Sequence, residues 1–298
     1  MAAAGDGEPA RAGLQRLGNG AGQPVRDEAI YLAKAAARLL RWGPADFLAA
    51  RRRDPALPPL PPRHLAFVGA GDYEATGRQF LGFFRELGGL EPGDRVLDVG
   101  CGVGRMAMPL TGYLEGGSYA GFDVGRGMVR WCRRNISSRW PNFEFAWAPV
   151  HNGKYNPFGD VAATEFRFPY EDASFDFAFA TSLFTHLLRE EAQHYLAETA
   201  RVLRPGGTCL LTFFLLTPEA EAALARGEAM MDFAHPIAGG RTIDAAQPEA
   251  ATAFPAEDVR AWCEEAGLRV REPLHLGAWS RTPGAETLQD IVVAERLT

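Results

Sequence analysis

Cysteine is scarce in this chain. Cys101, Cys132, Cys209 and Cys263 are the only four in 298 residues, they lie far apart, and no CxxC pair or Cys/His cluster occurs. That spacing excludes a disulfide framework and offers no metal-ligand pattern, so no metal is expected. A reduced, cytoplasmic setting is the expectation. Long apolar runs are lacking too. The most apolar stretch, residues 209–216, is broken by Thr212 and is far too short to span a bilayer, so no membrane partner is expected. Residues 1–22 are rich in Ala and Gly and have no apolar segment of the kind a secretory signal needs. Basic excess is missing as well: 31 Lys and Arg stand against 37 Asp and Glu, a net charge of -6. This argues against a dedicated nucleic-acid partner, which calls for a basic face.

What is present is the balance of an ordinary globular protein, with 47% apolar and 23% charged residues. The length allows one large domain or two of ordinary size. Residues 1–24 are small, polar and Gly-rich, and predict a disordered tail. Residues 25–89 predict a helical lid with a connector. Helices are expected over 27–41 and 44–53, and residues 54–63 (DPALPPLPPR) are too proline-dense for anything but extended chain. Eight of the 21 prolines precede His64, so the proline excess marks this segment. Apolar residues at helical spacing predict a helix over 73–87, closed by Gly88-Gly89.

Strand and helix patterns then alternate. Strands are expected at 95–99, 118–123, 143–150, 175–181, 208–216, 269–276 and 289–296, and helices at 105–113, 128–139, 189–203 and 255–266. Alternation of this kind predicts an α/β fold: a parallel sheet with helices on both faces. Residues 217–254 interrupt it, and predict an insertion that caps the acceptor site.

The most informative segment is Asp98-Val99-Gly100-Cys101-Gly102-Val103-Gly104, an apolar strand running into glycines and then a helix. Glycines there permit a tight turn and close approach of a ligand to backbone. A dinucleotide fingerprint needs a sixth-position glycine, and Arg105 stands there instead. No P-loop lysine follows. The DVGCGVG run resembles motif I of the class I S-adenosylmethionine-dependent methyltransferases. Three further segments support the resemblance: Gly121-Phe122-Asp123, which closes the next strand with an acid; the FPYEDASFD run at 168–176; and Arg204-Pro205-Gly206-Gly207 before the fifth strand. The resemblance covers residues 90–298.

The resemblance implies a Rossmann-like, mostly parallel seven-stranded sheet with an N-terminal helical lid, and S-adenosyl-L-methionine as cofactor. It places Asp98 near the methionine amino end, with Gly100, Cys101, Gly102 and Gly104 at the same moiety. Asp123 would hold the ribose, and Val124 and Met128 would pack on adenine. Because of an insertion at 151–163, the adenine-edge residues align as Thr164, Glu165 and Phe166. The reacting end falls at 181–186, starting with Thr181. Neither an Asn/Asp-Pro-Pro-aromatic motif nor an acidic metal ligand stands there, which leaves metal-independent transfer to oxygen or nitrogen of a small molecule such as a secondary metabolite or sugar. His186 is the candidate general base, because its ordinary pKa is near neutrality. Tyr73, His151, Tyr155 and Trp279 are candidate acceptor contacts. Two alternatives stay open at this point: a non-catalytic cofactor-binding protein, and a methyltransferase acting on a macromolecule. The oligomeric state is left open.

Overall fold

In a computed structural model of the chain, residues 23–52, 59–66 and 71–298 are described. The tail expected over 1–24 lies outside them except for its last two residues. These belong to α1 (Gln23–Arg52), one helix of 30 residues that carries Pro44 inside it. Two helices broken near Pro44 were the expectation; the structure has one. Distant contacts hold its second half. Asp46 accepts from Arg63 Nε at 3.0 Å and pairs with His64 Nδ1 at 3.2 Å, while Arg63 lies over the Trp42 ring.

The helix α2 (Tyr73–Glu86) follows, capped by Asp72, whose carboxylate accepts from Ala75 N–H at 2.7 Å. The body then runs β1 (Arg95–Val99), α3 (Ala107–Leu110), β2 (Ser118–Asp123), α4 (Arg126–Cys132), β3 (Phe143–Trp147), β4 (Phe175–Ala180), α5 (Arg189–Val202) and β5 (Leu203–Phe213). After β6 (Leu215–Leu216) come α6 (Pro218–Ala225), β7 (His235–Ile237), β8 (Gly240–Thr242), β9 (Thr252–Pro255), α7 (Ala256–Glu265), β10 (Leu268–Val270) and β11 (Asp290–Arg296). Helix α4 runs on as a π-helical turn over Arg133–Ser137, and α3 is shorter than the spacing predicts. The third strand ends at Trp147 and not at 150, because the chain leaves the sheet into the insertion.

Seven strands form one sheet in the order β10-β11-β5-β4-β1-β2-β3. The pairs β1–β2, β1–β4, β2–β3 and β4–β5 are parallel, and β11 is antiparallel to both its neighbours. This is the Rossmann-like sheet of the expectation. Its central strand β1 is buried from Val96 to Val99, as a strand covered on both faces must be. Side chains alternate between two cores. Leu97, Val99, Ala178 and Ala180 join Leu196 and Trp262 from α5 and α7. Val96, Phe177 and Phe179 join Phe84, Leu110 and Val129 from α2, α3 and α4. Phe84 stacks on Phe179 with ring centroids 4.3 Å apart. At Gly88 any Cβ would sit 2.6 Å from the Phe177 ring, so only glycine lets α2 close down on β4.

A second, four-stranded sheet, β6-β9-β8-β7, occupies the 217–254 region. It shares a small core with Phe214, Phe233 and Trp279. Trp279 was expected at the acceptor site. Instead it is fully buried, and its Nε1–H donates to Asp290 Oδ2 at 2.7 Å. The same carboxylate accepts from Leu215 N–H and Gly277 N–H, each at 2.6 Å, joining the large sheet to the small one. Trp279 is a core residue because this buried carboxylate gives its indole N–H a partner. Asp290→Ala should strand three buried donors. We expect a loss of stability on the order of 3 kcal/mol, read as a lower denaturation midpoint; an unchanged midpoint would contradict the role.

Candidate active site

The chain leaves β1 through three left-handed glycines: Gly100 (φ +85), Gly102 (φ +52) and Gly104 (φ +71). The end of β2 holds this turn. The Phe122 carbonyl accepts from Gly100 N–H at 2.9 Å and Cys101 N–H at 3.0 Å. The Asp123 carboxylate accepts from Gly102 N–H at 2.8 Å through one oxygen and from Gly125 N–H at 2.6 Å through the other. Space beside Gly102 is open, whereas a Cβ on Gly104 would lie 2.6 Å from Ile136 Cδ1. Gly102 therefore faces a ligand-sized opening, and Gly104 serves packing against the end of α4.

Asp98 lies buried at the end of β1. Its Oδ2 accepts from Tyr119 O–H at 2.6 Å, while its buried Oδ1 has no partner. It adjoins a recess between Leu65, Cys101, Arg105 and Ser182. Burial, opposed by the Tyr119 hydroxyl, pushes the Asp98 carboxyl up to about 8. Asp123 is also raised by burial, against the two backbone N–H bonds that favour its charge.

The recess continues into a cleft of about 110 Å³. Gly100, Gly102, Asp123, Val124 and Met128 line it together with Thr181, His151, Tyr155 and His186. His186 Nδ1 lies 2.9 Å from the Glu249 carbonyl. A carbonyl can only accept, so Nδ1 carries the proton and Nε2 the lone pair. That lone pair faces Tyr155 O–H at 3.5 Å, a loose contact. Burial holds His186 down at about 4 and pushes Tyr155 up to about 12, so both are neutral near pH 7.

Most of the expected residues thus meet around one cleft. Cys101 lies at the recess with a buried thiol whose pKa burial raises well above normal. Six expected residues line neither the cleft nor the recess: Gly104, which serves packing, Thr164, which is exposed, and four others. Tyr73 anchors α2 by donating to the Val103 carbonyl at 2.9 Å, behind the glycine turn. Glu165 is solvent-exposed, and Phe166 is buried against Phe122 in the core. The insertion is the reason: it brings Val150, Asn152 and Ala163 to the wall instead. The fourth, Trp279, was placed above. Sequence reading also missed Leu187, Glu191 and Tyr195 on the cleft wall. Leu183 and Ser182 belong to the 181–186 segment expected at the reacting end, and Ser182 has a special backbone. It is held left-handed at φ +57, with its N–H donating to Thr212 Oγ1 at 2.7 Å.

Residues 97–211 match the family model described as a methyltransferase domain. A phthiotriol/phenolphthiotriol dimycocerosates methyltransferase from Mycobacterium ulcerans is 35% identical over 123 residues, covering 40% of this chain and 37% of that one. The 27-O-demethylrifamycin SV methyltransferase of Amycolatopsis mediterranei is 31% identical over 159 residues, covering 52% and 51%. The chain spans about half or less of these relatives' length. Among solved structures, the PH0226 protein of Pyrococcus horikoshii superposes with a TM-score of 0.52 at 17% identity, over 77% of this chain and 93% of that one. The [4+2]-cyclase SpnF gives 0.50 at 19% identity, over 75% and 82%. Residues 97–211 thus resemble a methyltransferase domain, and the chain has the Rossmann-like fold that these solved structures share. The fold alone does not set the reaction, as the cyclase illustrates.

Asp98 keeps its proton in the folded state up to about 8 but ionises near its ordinary value when unfolded. Stability is therefore lost as pH rises from about 4 toward 8. Asp98→Asn preserves the Tyr119 bond without this slope. It should gain stability over the parent as pH goes from 5 to 8, in paired denaturation curves; a gap independent of pH would refute the assignment.

Proposed function

We propose that the chain transfers a methyl group from S-adenosylmethionine to an oxygen or nitrogen of a small-molecule acceptor, without a metal ion. The observation that carries this reading is the partnerless Asp98 Oδ1 buried beside the glycine turn. A lone acceptor oxygen there suits the cofactor's ammonium group. The other residues fit the same ligand: open backbone at Gly102 for close approach, a carboxylate at Asp123 for paired hydroxyls, and apolar Val124 and Met128 for a flat base. When bound, the cofactor supplies a methyl group on a sulfonium whose thioether leaves as a neutral group.

The protein's own part is position, dryness and proton handling. His186 is fixed by Glu249 with its lone pair toward the cleft. The 3.5 Å gap to Tyr155 lets an acceptor O–H or N–H replace the tyrosine as donor to Nε2. His186 would take that proton as the acceptor receives the methyl group, with the cofactor's thioether as the leaving group. Thr181 and Ser182 are neutral and leave this role to His186. His151 and Tyr155 would border the acceptor, and the 217–254 region caps it. The lid reading extends to residues 59–66, where Leu65 reaches Gly127 and the recess. Among the described residues no helix is long and apolar enough to cross a membrane. All four cysteines are free and buried, consistent with a reducing cytoplasm.

Two tests follow. Calorimetry should detect S-adenosylhomocysteine binding with release of a proton, because an ammonium beside Asp98 favours its carboxylate. Affinity should rise with pH up to about 8 in the parent and lose that dependence in Asp98→Asn. Asp123→Ala should weaken binding by about 1–3 kcal/mol. No binding at millimolar ligand would remove the reading. Second, His186→Ala should lower turnover by about 10²–10⁴-fold while leaving the binding of S-adenosylhomocysteine unchanged. Equal turnover would remove the base.

A further inference from the structure

Past His151 the cleft opens into a vestibule of about 510 Å³. Three separate parts of the chain wall it: Tyr31 and Lys34 from α1, His151 and Lys154 from the insertion after β3, and Asp244 and Glu249 from the loop before β9. Two lysines and two carboxylates balance in formal charge here, but none of the four pairs with another. Asp244 is engaged, accepting from Ala246 N–H at 2.9 Å and Gln247 N–H at 3.3 Å. Among the described residues neither Lys34 nor Lys154 has a carboxylate within ion-pair distance.

Lys154 is half-buried, and its Nζ stands 5.1 Å from the centre of the Tyr155 ring. Burial and the neighbouring Lys34 charge both disfavour its ammonium, with the Glu249 carboxylate a smaller opposing influence. Two cations repelling each other across a concave wall are relieved by an anion placed between them. Tyr155 fixes where that anion stands relative to the chemistry. Its ring lies under Lys154 and its hydroxyl faces His186.

We propose that the acceptor carries an anionic group, a carboxylate or a phosphate, held between Lys34 and Lys154, with its nucleophilic atom at His186 about one six-membered ring away. The second half of this statement rests on the methyl-transfer reading; the first half does not. A substrate of this kind would enter anion last, its ring lying along Tyr155 and its charge left in the wetter vestibule.

Matched probes test it: 4-hydroxybenzoate, 4-hydroxyphenyl phosphate and the neutral 4-hydroxybenzamide, titrated by ligand-observed magnetic resonance against the full chain with and without saturating S-adenosylhomocysteine. One or both acids should bind about tenfold or more tightly than the amide, and the better acid names the anion. Lys154→Gln and Lys34→Gln should each bring the acids toward the amide, and Lys154→Arg should restore the preference. Acids that bind no better than the amide, acids and amide that all fail to bind, or a preference surviving both glutamine variants would overturn the proposal. Loss of S-adenosylhomocysteine binding with the acid preference intact would instead overturn the methyl-transfer reading alone.

Discussion

Everything at the site depends on the end of β2 holding the chain that leaves β1. The Phe122 carbonyl takes two consecutive N–H groups and Asp123 takes a third, so the turn at Gly100–Gly102 is folded from the neighbouring strand. Without those bonds, three left-handed residues at alternate positions would have little to fix them. The turn in turn leaves Asp98 behind it, walled off from water with one oxygen satisfied and the other turned to the recess. Parallel strands make this arrangement available, because adjacent β1 and β2 both end at the same edge of the sheet.

Burial is the shared cause of the site's electrostatics. It raises Asp98 and Tyr155 and lowers His186, so three titratable groups near the cleft favour their neutral forms. A dry cleft suits a reaction in which a positive charge is lost, since little solvent must reorganise. The same dryness makes Asp98 costly to ionise until a cation arrives, which ties occupancy of the recess to a proton.

The central strands and the glycine turn were legible in the sequence because both leave local marks. Strands buried on two faces are continuous apolar runs, and left-handed backbone needs glycine. What the sequence did not reveal was decided by distant residues. The continuity of α1 through Pro44 depends on Arg63 and His64. The burial of Trp279 depends on the Asp290 carboxylate that also reaches Leu215. The small sheet is made of strands as short as His235–Ile237 and Gly240–Thr242, too brief to show alternation. Glu165 and Phe166 were placed on the adenine edge by counting back from Pro169, and the insertion before them breaks that count. Lys34 and Lys154 lie on opposite sides of the whole first half of the sheet in sequence, and only folding brings them to one wall.

The bond from His186 Nδ1 to the Glu249 carbonyl joins two things that enzymes often keep apart. Glu249 belongs to the loop that borders the vestibule, so the segment best placed to choose an acceptor also decides which ring nitrogen of the proposed base is free. On the proposed reading, one piece of chain would set both selectivity and proton transfer. Remodelling this loop for a new acceptor would then change the tautomer and tilt of His186 in the same step.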